Sequence, residues 1–335
     1  MTGFTVLLPV HRPPVMLGTA IESVLAQSVT DLDLVVICDG APPETAAFAQ
    51  EYAERDPRVR VLDLPKGERH GEAHRHRVLE EVDEATRPLV AQIADDDLWF
   101  PGHLAELRQL LADADFGNLL QVRLTPEGEI AVHLGDLADP ATRERMRTER
   151  FNLFGPSVAG YRLAAYRRLV HGWQPAPADV WSDLHMWRAF LDTPGLQLAT
   201  RYAVEGVSLP DAERTDVDLA DRAAENRRIA AALLGSDTAQ RDFRARAFAE
   251  LGASLSVTTT YAREVATAHQ GAITQISDLW THLEGTRGAF DAASAALERK
   301  RKANRRLRAR NRALAEELAA LKVSSAGRRP RWPSR

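Results

Sequence analysis

The sequence predicts an α/β fold with a mainly parallel sheet, followed by an all-helical C-terminal region. In the first half, short apolar β-branched runs alternate with amphipathic stretches of helical length, the pattern of βαβ units. After Pro210 the chain turns rich in Ala, Arg, Glu and Leu, with little turn chemistry. Thr5 to Val10 (TVLLPV) reads as a buried strand, and Met16 to Gln27 as a helix with Leu17, Ile21, Val24 and Leu25 on one face. Leu34 to Cys38 is a second buried strand, closed by the turn pair Asp39-Gly40. Pro43 to Arg55 is a helix with proline where the first turn tolerates it. Val59 to Leu64 and Leu89 to Ala94 are further strands, and His74 to Glu84 and Pro101 to Ala112 further helices. Between residues 116 and 210 the pattern mixes. Asn118 to Leu124 and Glu129 to Leu134 read as a hairpin-like pair, Leu163 to Val170 and Asp183 to Leu191 as short helices, and Leu198 to Val207 as a strand.

The chain has 335 residues, 44% hydrophobic and 27% charged, which excludes wholesale disorder. A lone cysteine, Cys38, excludes an internal disulfide framework and a cysteine-rich zinc site; following four apolar residues, it reads as a buried small hydrophobe. Apolar stretches such as Leu34 to Cys38 fall far short of the roughly 18 residues a membrane span needs, and Met1 to Phe4 lead straight into a strand without a basic leader. The expectation is a cytoplasmic protein. The net charge of −4 hides a split, because residues 293 to 335 carry fourteen Lys and Arg against three Glu. An acidic body with a basic end implies two partners or two tasks.

From Leu297 a heptad emerges. With Leu307, Leu314 and Leu321 at d, Leu297, Asn304, Asn311 and Leu318 fall at a, and Lys300 falls at d. Asparagine at a is a device for fixing register in two-stranded parallel coils, so residues 293–322 are expected to form a dimeric coiled coil; a long amphipathic helix folded on its own body is the plainer reading. Residues 323–335 are expected to be a basic disordered tail. Nine basic residues between Arg299 and Arg312 read as a solvated helix face or, with Trp332, as peripheral contact with an anionic membrane; nucleic acid is disfavoured by the acidic body.

In open parallel sheets, ligands bind beyond the carboxyl ends of the strands. Three such ends carry polar groups: His11-Arg12, Asp39-Gly40 and Asp95-Asp96-Asp97. Adjacent carboxylates repel, and a hard divalent cation with a substrate diphosphate relieves the conflict; an acidic loop favouring the following helix dipole is the alternative.

The segments TVLLPVHRP, AIESVLAQSVTDLDLVVICDGAP, HGEAHRHRVLEE, IADDDLWFPGHL and WSDLHMWRAFL, in this order and spacing, resemble the inverting family-2 glycosyltransferases of GT-A fold over about residues 4–210. The resemblance implies a GT-A domain at 1–210, with a nucleotide-sugar half (1–115) and an acceptor half (116–210). A helical region (211–292) would lead from it to the coil. It implies that Pro9 and His11 contact the nucleotide, Asp39 holds the base, Arg75 faces the diphosphate and Asp95 the ribose. Asp96 and Asp97 are the implied metal set for Mg2+ or Mn2+, and Asp183 the implied base. Trp181 and Trp187 are candidates for a sugar-facing wall, or for core. Cys38, Ala94, His11, His76 and Ser182 depart from the family pattern. The implied activity is metal-dependent transfer of one sugar from a nucleoside-diphosphate sugar to an acceptor hydroxyl of a glycan, lipid-linked precursor, peptide or small molecule. A non-catalytic sugar-nucleotide-binding or assembly subunit is the alternative. A nucleotidyltransferase is disfavoured because the HRPPVML loop lacks glycine.

Overall fold

The computed structural model describes residues 3–326. These fall into two units, one ending at Val257 and the other beginning at Thr258. The first unit opens with β1 (Phe4–Val10), α1 (Leu17–Leu25), β2 (Leu32–Asp39), α2 (Pro43–Arg55), β3 (Val59–Leu64), α3 (Glu72–Glu81) and β4 (Leu89–Gln92). Then come β5 (Leu98–Trp99), α4 (His103–Asp113), β6 (Phe116–Leu119), β7 (Val122–Leu124) and β8 (Ile130–Val132). They are followed by α5 (Pro140–Thr148), β9 (Ala159–Arg162), α6 (Leu163–Tyr166), α7 (Ser182–Asp192), β10 (Leu198–Arg201), β11 (Gly206–Val207) and α8 (Leu219–Leu233). The last helix, α9 (Asp237–Ala326), begins in this unit.

Seven strands form the central sheet in the order β10-β6-β9-β4-β1-β2-β3. All pairs are parallel except those made by β9, which runs antiparallel between β4 and β6. The inner strands are buried on both faces, which is why β1 and β2 read as unbroken apolar runs. Strand order reverses at β1, with β2 on one side and β4 on the other. Pairing of β1 with β4 ends at Leu7↔Gln92, whereas pairing with β2 continues to Val10↔Cys38. A crevice therefore opens between the ends of β1 and β4, and Pro9, which has no N–H to give, sits where the β4 partner has already diverged.

A second apolar cluster joins Leu98, Phe100, Leu120, Val122, Val207 and Leu209 to Ile229 of α8 and to Phe243, Ala247 and Leu251 of α9. The early part of the helical region thus packs on the sheet domain. The structure departs from the sequence reading in the middle of the chain. The 118–124 stretch splits, with β6 entering the central sheet and β7 pairing with β8. The 198–207 run likewise splits into β10 and β11, because Gly206 and Val207 pair antiparallel with β5.

In the second unit α9 continues from Thr258, exposed along almost all of its length to residue 320. No helix among the described residues is long and apolar enough to cross a membrane. Helix also extends through the first residues of the expected 323–335 tail, to Ala326; the remainder of that tail lies outside the described residues.

Candidate active site

A cleft of about 850 Å³ lies at the crevice beyond β1 and β4. Its walls include Pro9, His11, Arg75, Asp95 and Asp183, so five of the candidate residues from four separate segments meet there. Lys66, Gln92, Asn152, Trp181 and Ser182 join them. Asp39, Asp96 and Asp97 are buried and are not among the residues that line it.

Asp39 ends β2 and is buried. Its carboxylate accepts the backbone N–H of Gly67 at 2.6 Å and pairs with Lys66, with His74 3.4 Å away. Burial works to raise its pKa, but the bonds from Lys66 and Gly67 outweigh it and hold the group below the usual carboxylate range. Gly71, at the start of α3 with φ 66°, allows this close approach: a Cβ there would meet the Asp39 carboxylate at 2.5 Å.

The acidic loop is held by arginine. Arg12 sends Nε to Asp95 Oδ2 at 2.7 Å and Nη2 to Asp95 Oδ1 at 2.8 Å, a bidentate pair. The same Nη2 lies 2.9 Å from Asp96 Oδ2, and Arg222 of α8 approaches that oxygen at 3.3 Å. Both arginines also pair with Asp211. Asn226, one helical turn after Arg222 on the same face of α8, donates to the Asp96 carbonyl at 2.8 Å. Asp97 turns into the protein, accepting from Leu209 N at 3.0 Å and Ser208 Oγ at 3.2 Å. Burial pushes the Asp96 and Asp97 carboxyls upward; the neighbouring acids add to this at Asp96, and Arg12 opposes it there.

This arrangement does not fit the divalent ion expected at Asp96 and Asp97. Both Asp95 oxygens and one Asp96 oxygen face guanidinium groups, and both Asp97 oxygens serve the Ser208–Leu209 segment. No group of three or more acidic, His or Cys side chains among the described residues forms a metal cradle.

Across the cleft, Asp183 lies in the first turn of α7, half-buried. Asn152 Nδ2 donates to its Oδ2 at 2.8 Å, and the backbone N–H of Leu184 lies 2.8 Å from Oδ1. Burial raises its pKa to about 6 against these bonds and the nearby charge of Arg75. Arg75 is itself buried, with its guanidinium 4.2 Å from the Trp173 ring centroid and Nη2 donating to His70 O at 3.0 Å. Four buried polar atoms on the cleft wall have no protein partner: Arg75 Nε, Gln92 Oε1, Asn152 Oδ1 and Ser182 Oγ. Leaving such an atom unpaired costs about 1–3 kcal/mol.

Trp187 does not form a sugar-facing wall. It is fully buried among Phe116, Phe154 and Trp173, with Nε1 donating to Phe154 O at 3.1 Å. Trp181 remains half-exposed on the cleft. Cys38 is buried, and burial with Asp63 nearby pushes its thiol up to about 11, which suits a core role. Sequence reasoning missed Arg12, Lys66, Gln92, Asn152 and Arg222 as site residues. Only Arg12 carried a signal, as the neighbour of His11 on the strand-one loop.

Residues 5–169, close to half of the chain, match the glycosyl transferase family 2 model. The uncharacterized glycosyltransferase EpsJ of Bacillus subtilis is 29% identical over 63 residues, 19% of this chain and 18% of that protein. The succinoglycan biosynthesis protein ExoW of Rhizobium meliloti is 35% identical over 122 residues, 34% of this chain and 36% of that protein. The matches thus span about a third or less of the curated relatives. Among solved structures, TarS 1–349 of S. aureus superposes with a TM-score of 0.46 at 14% identity, covering 64% of this chain and 63% of that one. The mannosyltransferase PcManGT of Pyrobaculum calidifontis, in complex with GDP-Man and Mn2+, gives 0.46 at 17% identity, covering 76% and 80%.

Proposed function

With a glycosyl transferase family 2 domain of GT-A fold as its first half, we propose that the chain is a glycosyltransferase that moves one sugar from a nucleoside-diphosphate donor to an acceptor hydroxyl. The observation that carries this reading is the meeting, in one cleft at the β1/β4 crevice, of the half-buried Asp183 carboxyl and four polar side chains that each keep one atom without a protein partner.

The nucleoside lies along Pro9 and His11, with the ribose toward Asp95, and Asp39 holds Lys66 in place on the cleft wall instead of touching the base. Arg12 and Arg222 lower the negative charge of the acidic rim, so an anionic donor can approach it. Lys66, Arg69 and Arg75 on the cleft wall meet the charge that develops on the departing diphosphate. Asp183 accepts the proton of the acceptor hydroxyl as that oxygen bonds to the anomeric carbon and the diphosphate leaves. Such positioned base catalysis is worth about 10²–10⁴-fold. A single displacement of this kind inverts the anomeric centre. The unpartnered Gln92, Asn152 and Ser182 atoms supply hydrogen bonds for sugar hydroxyls.

The test is a panel of nucleotide sugars, read first as a thermal shift and then as release of nucleoside diphosphate. At least one donor is expected to stabilise the protein and to be turned over. Donor binding without turnover across a broad acceptor panel would instead favour a non-catalytic subunit. No stabilisation by any nucleotide or nucleotide sugar would remove the reading.

The raised pKa of Asp183 sets a pH dependence. The base works only when ionised, so kcat/KM should climb through an acid limb near pH 6 and level off above about pH 7. A limb near pH 4, where an ordinary carboxylate titrates, would show that Asp183 is not the group observed.

A further inference from the structure

The second unit, over its described residues, is one long helical run with no other element of that unit packed on it. From residue 258 to 318 its large apolar side chains are Tyr261, Val265, Ile273, Ile276, Leu279, Trp280, Leu283, Phe290, Leu297, Leu307, Leu314 and Leu318, and all twelve are about half-exposed or more. Carrying the heptad back from Leu307 at d places every one of them at a, d, e or g, and none at b, c or f. The frame holds for more than eight heptads without a stutter, about twice the length expected from the 293–322 stretch. Gly271, Gly285 and Gly288 fall on the outer positions, and Lys300 is the only Lys, Arg, Asp or Glu at a or d. An apolar seam of exact seven-residue period needs a helical partner with the same period.

We propose that residues 258–318 pair with the same segment of a second copy of this chain as a parallel, in-register, two-stranded coiled coil. Two features select this occupant. In a parallel in-register pair, Asn304 and Asn311 at a meet their own counterparts across the seam, so all four amides find partners; a one-heptad slip keeps one Asn–Asn pair and sets the other asparagine of each strand against Leu297 or Leu318. The flanking charges agree. In the parallel arrangement each g residue faces the e residue five positions on in the other strand. That sets Ala296 against Arg301, Ala303 against Arg308 and Arg310 against Ala315. No like-charged flanking pair arises from the basic run, whereas an antiparallel pairing about the two asparagines sets e against e and brings Arg308 against its own counterpart. Lys300 can lay its aliphatic stem on the seam and extend its ammonium to water. Chain connectivity then attaches both copies of residue 257 to one end of the coil.

Light scattering on the full-length protein in reducing buffer is expected to give twice the 37.0 kDa chain mass. Leu283→Glu with Leu297→Glu should convert it to a monomer. Direction and register are read from Asn304→Cys, since the native Cys38 is buried. Once its dimeric mass is confirmed under reduction, mild oxidation should convert nearly all of it to a covalent dimer, while Arg299→Cys on the outer face should not cross-link. A full-length monomer at micromolar concentration overturns the proposal, whether or not it binds anionic vesicles. So does a dimer in which Asn304→Cys fails to cross-link.

Discussion

Asp183→Asn should lower kcat by roughly 10²–10⁴-fold while leaving donor KM within about threefold. The amide keeps the size of the side chain but cannot take a proton from the acceptor. Stability separates this role from a merely structural one. An acid in the first turn of α7 would ordinarily help the helix, and its loss would cost a few tenths of a kcal/mol up to about 1 kcal/mol. Asp183, however, is held with a pKa near 6, above its usual range, so its ionisation opposes folding above that pH. Removing the charge should leave Tm at pH 8 unchanged or higher. Full turnover in the variant would take the base role away from Asp183; lower stability with intact kcat would make it a helix-terminal residue. A site that gives up stability for chemistry is the common pattern in enzymes.

Arg12→Ala should be the most destabilising single change at the rim. Arg12 is 14% exposed, and its partners Asp95 and Asp96 are 10% and 9% exposed, so the group is largely cut off from solvent. Deleting one partner of a buried pair leaves the others uncompensated, typically at a cost of about 3–5 kcal/mol. At about 3 kcal/mol, that corresponds to a Tm lowered by roughly 6–12 °C. Without Arg12 the folded Asp96 carboxyl, already raised by burial, holds its proton to still higher pH than in the unfolded chain. The deficit should therefore be largest near pH 8 and shrink toward pH 5 as it protonates. The variant also uncovers Asp95 and Asp96 as oxygen ligands, so millimolar Mn2+ should restore part of its Tm. In the wild type, exchanging Mn2+ for EDTA should change donor affinity by less than about threefold. A wild-type donor affinity that collapses in EDTA would show that a divalent ion displaces the guanidinium in the working enzyme.

The alternating first half of the fold was legible because β1, β2 and β4 are buried on both faces and leave unbroken apolar runs. β9 was not. Its four residues, AGYR, show no alternation, and it owes its central place to Gly160, where a Cβ would stand 3.0 Å from Leu107. α5 was missed because only Met146 of its nine residues is buried, although Asp139 before Pro140 is a capping signal, and its carboxylate bonds Ala141 N and Thr142 N. The candidate acids could be read from their places at strand ends. What surrounds them could not. Arg12 meets Asp95 across 83 residues of sequence and Arg222 meets Asp96 across 126, and local pattern carries no record of such distant pairings. Three neighbouring aspartates therefore suggested a metal, while the folded chain brings arginine to the same oxygens.

The central claim is that the β1/β4 cleft holds the donor with its diphosphate between the Asp95 rim and Arg75, leaving the Asp183 side for the acceptor. A crystal structure of the full chain soaked with the nucleoside diphosphate of the best-stabilising donor tests it most directly. The predicted result is a base beside Pro9 and His11, a ribose against Asp95 and a diphosphate directed toward Arg75. A nucleotide bound anywhere else, or an empty cleft at a concentration that saturates the thermal shift, would contradict it.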